Sequence, residues 1–90
     1  MTYALICRDK AGALEIRKAN REAHLDYIAQ TGVVRIAGPF LDDDGQMSGS
    51  LVVLDVQTKE QAETWAQNDP YAKAGLFDSV SIQAWKQVIG

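Results

Sequence analysis

The chain opens on a short apolar run, Tyr3 to Cys7, closed by Arg8-Asp9-Lys10. Such a run reads as a strand. Alternation places Tyr3, Leu5 and Cys7 on one face and Ala4 and Ile6 on the other. Apolar residues on both faces suggest a central strand covered on both sides. From Ala11 to Thr31 the spacing becomes that of a long helix, with Gly32 as its expected stop. Glu15, Lys18, Glu22, Asp26 and Ala29 share one mainly charged face. Leu14, Ile16, Leu25, Tyr27 and Ile28 fall on the opposite, wide arc. That arc also carries Arg17, Asn20, Arg21 and His24. Burying four polar groups without partners costs about 1–3 kcal/mol each, and more for a charge. The arc therefore predicts a polar pocket, a partner subunit or water beside it.

Val33 to Gly38 is rich in β-branched residues and reads as a second strand, ended by Gly38-Pro39. Asp42-Asp43-Asp44-Gly45 signals a turn. Ser48 to Val56 reads as a third strand, in a hairpin with the second. Thr58 and Gln61 fit a capping box at the start of a second helix. Ala62, Trp65 and Ala66 form the inward stripe of that helix. It ends near Asn68-Asp69-Pro70, because proline disfavours helical geometry in the residue before it. Tyr71 to Phe77 is a connector, and Ser79 to Val88 is the last strand.

The order β-α-β-β-α-β is that of the ferredoxin-like α+β fold: a four-stranded antiparallel sheet with two helices on one face. The other face then has apolar side chains and nothing in the same chain to cover it. Pairing with a second copy is the simplest way to cover such a patch, so a homodimer or a higher homo-oligomer is expected.

Ninety residues suffice for one domain, residues 1–90, and not for two. No apolar run approaches the roughly 18 residues of a membrane span, and no secretory signal is visible, so no membrane partner is expected. Nine basic against twelve acidic residues give a net charge of −3, which disfavours nucleic acid as a partner. Cys7 is the lone cysteine and sits in an apolar segment, where a small buried hydrophobe is the simple reading. These features together point to the cytoplasm.

His24 leads the candidates for chemistry, because imidazole exchanges protons near neutral pH. A satisfied structural histidine is the plainer alternative. Arg17, Asn20 and Arg21 on the same arc make either an anion-friendly patch or a salt-bridge network. Asp69-Pro70-Tyr71 is either a turn device or the source of a carboxylate that orients His24. The two helices are neighbours in this fold. If the two groups meet, a ring nitrogen and a carboxylate oxygen should lie about 2.6–3.2 Å apart. There is no nucleophile elbow, phosphate-binding loop or dinucleotide fingerprint, and no cofactor is expected. One His and one Cys make no transition-metal cluster, and the Asp42–Asp44 loop lacks the later bidentate acid of a calcium loop. No metal is expected.

Arg21-Glu22-Ala23-His24-Leu25, Ala37-Gly38-Pro39, Gly49-Ser50-Leu51, Trp65-Ala66, Asp69-Pro70-Tyr71 and Ala74-Gly75-Leu76-Phe77 follow one another in a specific order and spacing. In this the whole chain resembles the YciI-like proteins, the YCII-related domain family of the dimeric α+β barrel group. The resemblance implies subunits packed sheet against sheet and a pocket built around a histidine and an aspartate. His24 and Asp69 match those two positions as the implied catalytic pair. Arg21, Gly38, Pro39, Ser50 and Tyr71 match pocket positions, the implied substrate-binding residues. Some relatives catalyse dehydrochlorination of a hydroxyquinol-type aromatic.

The leading functional expectation is a cofactor-independent enzyme acting on a small anionic or phenolic molecule. His–Asp acid/base chemistry would drive elimination, isomerisation or hydrolysis. The alternatives are a non-catalytic module that binds a small ligand in the same pocket, and an accessory or assembly domain.

Overall fold

A computed structural model describes residues 1–90. Its elements are β1 (Thr2–Asp9), α1 (Leu14–Thr31), β2 (Val34–Leu41), β3 (Met47–Asp55), α2 (Lys59–Asn68), α3 (Pro70–Lys73) and β4 (Phe77–Trp85). The strands form one antiparallel sheet in the order β2-β3-β1-β4, the ferredoxin-like arrangement.

β1 is one of the two inner strands, as its apolar run implies. Tyr3, Leu5 and Cys7 face the helices, where they pack with Val52, Leu54, Ala62 and Trp65. Register places Ala4 and Ile6 on the opposite face, beside Val53 and Leu51. The helices pack on the other side, and no helix lies on this second face. Ile36 and Trp85 remain 51% and 40% exposed there. A side chain at Gly49 would collide with the Cys7 carbonyl oxygen, so close approach of β1 and β3 requires glycine at that position.

α1 begins at Leu14, three residues later than the apolar spacing implies, because Gly12 turns the chain with φ +70°. Gly32 ends it in the left-handed conformation and donates its N–H to the Ile28 carbonyl. The inward line of α1 also differs from the expected arc. Arg17 and His24 are buried, whereas Ile16 and Leu25 are 37% and 45% exposed. Residues 17, 21, 24 and 28 follow helical spacing, so mostly polar side chains hold the central line. The Asn20 side chain is satisfied locally, donating to the Ile16 carbonyl at 2.9 Å.

Further boundaries move. β2 does not stop at Gly38-Pro39 but runs on to Leu41. β2 is an edge strand, where a proline can sit with its bare nitrogen turned away from the ladder. The connector after α2 contains a single helical turn, α3, and β4 spans Phe77–Trp85 rather than Ser79 to Val88. The Thr58–Gln61 capping box forms as expected. At Asp42–Gly45 the Asp42 carboxylate accepts from the backbone of Asp44 and Gln46, which makes a tight turn.

Cys7 is 2% exposed. Burial pushes its thiol pKa up to about 12; Asp69 adds to the rise, Arg17 opposes it, and Asp9 adds a smaller contribution. An unfolded thiol ionises near pH ~8.5. The stability linked to this group is therefore complete below that pH and is lost progressively as pH rises toward 12. Iodoacetamide at pH 9 should label Cys7 only as fast as the chain unfolds, with denaturant accelerating the reaction. Rapid labelling of the folded protein would contradict this burial.

Candidate active site

Arg17 and His24 stand seven residues apart on α1, two turns along one face. Both project toward the sheet and toward the break between α2 and α3. That break is Asp69, which ends α2 and caps α3 in an extended conformation, with Pro70 at the first position of α3. Proline suits that position because its fixed φ matches the helix and its missing N–H is not needed. Asp69 is 2% exposed.

Asp69 Oδ1 receives two contacts. The backbone N–H of Tyr71 donates to it at 3.0 Å, and His24 Nδ1 lies 2.7 Å away. An ionised carboxylate only accepts, so Nδ1 carries the proton. In the neutral ring Nε2 is then the basic nitrogen. No protein group bonds Nε2, and it is not sealed from solvent. The Tyr71 ring stacks on the imidazole, with centroids 3.9 Å apart and planes 14° from parallel. The Asp69-Pro70-Tyr71 turn thus supplies both a partner for Nδ1 and a flat wall against the ring.

Arg17 is 2% exposed. Its Nε and Nη2 donate to the Asp9 carboxylate at 2.7 and 2.9 Å, and Nη2 also donates to Ser50 Oγ at 2.9 Å. Its guanidinium carbon lies 4.8 Å from the Tyr71 ring centroid. Burial works against the Arg17 charge, but the hydrogen bonds and charge of Asp9 outweigh it and raise the pKa. Burial likewise raises the Tyr71 pKa, against the nearby cations of Arg17 and Arg21. The phenol stays protonated at neutral pH.

These groups border a cavity of about 190 Å³ between α1 and the β2–β3 side of the sheet. Arg17, Arg21, His24, Ser50 and Tyr71 give it a polar side. Leu25, Ile28, Ala37, Gly38, Pro39, Met47 and Val52 complete the wall. An apolar cavity of ~150 Å³ accepts a benzene molecule, so the volume suits one substituted ring. Among the expected residues, Arg21, His24, Gly38, Pro39, Ser50 and Tyr71 line this cavity, and Asp69 stands behind His24. Asp9 was not among the expected residues, because in the sequence its only visible role is to end a strand. Arg17 was visible on the polar arc, but nothing marked its pairing with Asp9 and Ser50.

The model of the YCII-related domain matches residues 1–86. The chain belongs to this family. Protein YciI of Escherichia coli O6:H1 (strain CFT073) is 35% identical over an alignment covering 98% of this chain and 99% of that protein. An uncharacterized Haemophilus influenzae protein is 32% identical over the same shares. Among solved structures, the YCII-related chain resembles the 5-chloro-2-hydroxyhydroquinone dehydrochlorinase TftG of Burkholderia phenoliruptrix AC1100, in complex with 2,5-dihydroxybenzoquinone. That match has a TM-score of 0.86 at 30% identity and covers 96% of this chain and 94% of TftG. An antibiotic biosynthesis monooxygenase shares the fold alone, with a TM-score of 0.60 at 8% identity.

The Arg17–Asp9 pair is nearly solvent-free, with side chains 3% and 7% exposed. Removing one member strands the other charge in the interior. Arg17→Ala should lower stability by about 3–5 kcal/mol in urea unfolding, and Asp9→Ala by a similar amount. Replacing both with apolar residues of similar volume should restore much of the loss. A cost below about 1 kcal/mol for Arg17→Ala would mean that water reaches the pair.

Proposed function

We propose that this YCII-related chain is a cofactor-independent enzyme that uses His24 and Asp69 as an acid/base pair on a small hydroxylated aromatic molecule. One observation carries the reading: a buried carboxylate holds Nδ1–H of the only histidine and leaves Nε2 basic at the wall of a ring-sized cavity. Resemblance to a dehydrochlorinase at 30% identity favours elimination over isomerisation or hydrolysis.

In this reading, His24 Nε2 takes the proton of a ring hydroxyl. The oxygen's electron pair moves into the ring, and the imidazolium returns its proton to a ring carbon. A leaving group on that carbon then departs with its bonding pair as a second hydroxyl gives up its proton. The net loss is HX, with no change in the enzyme. Asp69 keeps the tautomer fixed and stabilises the transient imidazolium. Tyr71 holds the plane of the imidazole. Arg21, exposed at the cavity, receives the negative charge of a phenolate or an anionic product.

The protein is proposed to act as a homodimer joined through the open sheet face. The open position of Ile36 and Trp85 on that face supports this assembly. Light scattering at micromolar concentration should return at least twice the chain mass, and Ile36→Glu should shift it toward the monomer. A monomer mass for the unmodified chain across that range would rule out the assembly.

The catalytic reading is tested by screening halogenated hydroxylated aromatics for halide release. With a substrate in hand, His24→Ala should slow turnover by about 10²–10⁴ while the protein stays folded. Asp69→Asn should also slow it, because the amide no longer enforces the Nδ1–H tautomer. Arg21→Ala should raise KM more than it lowers kcat. Turnover by His24→Ala at the unmodified rate would falsify the proposal. Ligand binding beside His24 without turnover of any substrate would favour a binding module.

A further inference from the structure

α1 and α2 meet one helical turn beyond His24. The Tyr27 and Trp65 rings lie 4.9 Å apart between centroids, tilted by 40°. Trp65 Nε1 donates to Thr31 Oγ1 at 3.0 Å. One further contact reaches the backbone of α2 instead of a side chain: the Tyr27 hydroxyl donates to the Trp65 carbonyl at 2.8 Å. In a continuing α-helix that carbonyl would accept the N–H of Asp69, four residues on. Here the Asp69 N–H reaches only three residues back, to the Ala66 carbonyl at 3.4 Å. Helix ends leave carbonyls without partners, and a side chain can satisfy one. Tyr27 does this from α1, where it follows His24 by three residues on the same face. Burial and then the Asp69 charge raise the Tyr27 pKa, so the phenol keeps its proton at neutral pH.

We infer that Tyr27 is a positioning residue for the His24–Asp69 pair: its hydroxyl, by holding the Trp65 carbonyl, stops α2 at Asn68 and fixes where Asp69 presents its carboxylate to His24 Nδ1. The inference rests on the proposed acid/base pair and adds a residue that does not line the cavity. One turn of α1 carries both the imidazole and the group that aims its carboxylate, so the pair shares a single support. Without the hydroxyl, the Trp65 carbonyl loses a partner, and the Asp69 N–H is the replacement that α-helical geometry supplies. Taking it up winds residues 66–68 fully into the helix and moves Asp69. Pro70 keeps Asp69 itself out of the helix, so the displacement passes to the carboxylate instead of being absorbed by a longer α2. The Thr31–Trp65 bond joins the same helices side chain to side chain and leaves the α2 backbone alone.

The tautomer ratio of the single histidine tests this in the full chain and needs no substrate. Imidazole ¹⁵N shifts of the neutral ring give the ratio of Nδ1–H to Nε2–H forms. Tyr27→Phe keeps the ring against Trp65 and removes only the hydroxyl. It should lower the Nδ1–H preference by about threefold or more. Thr31→Val breaks the other α1–α2 hydrogen bond and should leave the ratio unchanged although stability falls. If Tyr27→Phe fails to fold, Tyr27→Met and Tyr27→Arg repeat the comparison with side chains of similar length. The arginine variant, which still donates to the carbonyl, should keep the preference, and the methionine variant should lose it. Asp69→Asn calibrates the full loss. If Asp69→Asn lowers the preference but neither Tyr27→Phe nor Tyr27→Met does, the Tyr27 inference is overturned and the His24–Asp69 pair stands. Equal losses in Tyr27→Phe and Thr31→Val also overturn it, because a loosened helix joint would then be the cause. If Asp69→Asn leaves the ratio unchanged, the pair and the inference fall together.

Discussion

The structure turns on one carboxylate oxygen. Asp69 Oδ1 accepts the Tyr71 backbone N–H and sits 2.7 Å from His24 Nδ1. The first contact caps a single helical turn and sets the angle at which α3 leaves α2. The second ties that turn to α1. Because Tyr71 follows two residues later, the same turn lays its ring parallel to the imidazole. Two helices and one side-chain orientation thus depend on a four-atom group that is almost wholly withdrawn from water. Such a group is tolerated in the interior only because its partners are charge-assisted or dipolar donors.

The cost of this arrangement is visible in the rest of the core. A 90-residue chain has little apolar surface to spare, yet Arg17, His24, Ser50 and Asp69 are all buried. Every buried side-chain polar atom finds a partner. The polar groups divide into two connected sets, Asp69 with His24 and Asp9 with Arg17 and Ser50. The Tyr71 ring bridges them, touching the imidazole and the guanidinium. The apolar core remains on the other side, around Leu5, Val52, Leu54 and Trp65. The helices therefore rest on the sheet through hydrophobic contacts at one end and a polar network at the other. The cavity lies at the polar end.

Much of this was readable in the chain, for identifiable reasons. Gly32, Thr58 and Gln61 each solve a local backbone problem, and local problems are written in adjacent residues. The β-α-β-β-α-β order follows from those stops and from the apolar runs between them. The polar arc of α1 announced a pocket, because helical spacing alone brings residues 17, 21, 24 and 28 into line. What escaped was set by tertiary context. Pro39 reads as the end of a strand until β2 is known to be a sheet edge. Asp9 reads as the polar end of β1 until the turn at Gly12 folds α1 back over it. Ile16 and Leu25 read as core until the polar residues between them are seen to occupy the inward line. The fold places the helices of His24 and Asp69 side by side, but 45 residues separate the two and no spacing rule sets their axial positions, so the residues alone left the contact open and the family resemblance supplied the pairing.

In the proposed site, Asp69 fixes the His24 tautomer and leaves Nε2 as the basic nitrogen facing the cavity. Because the chain has a single histidine, long-range ¹H–¹⁵N correlation spectra of the imidazole report on His24 alone. At a pH where the ring is neutral, Nδ1 should be pyrrole-type and bear the proton, and Nε2 should be pyridine-type. In Asp69→Asn that preference should weaken or reverse. A neutral ring protonated at Nε2 in the unmodified protein would rule out His24 as the base, because no basic nitrogen would then face the cavity.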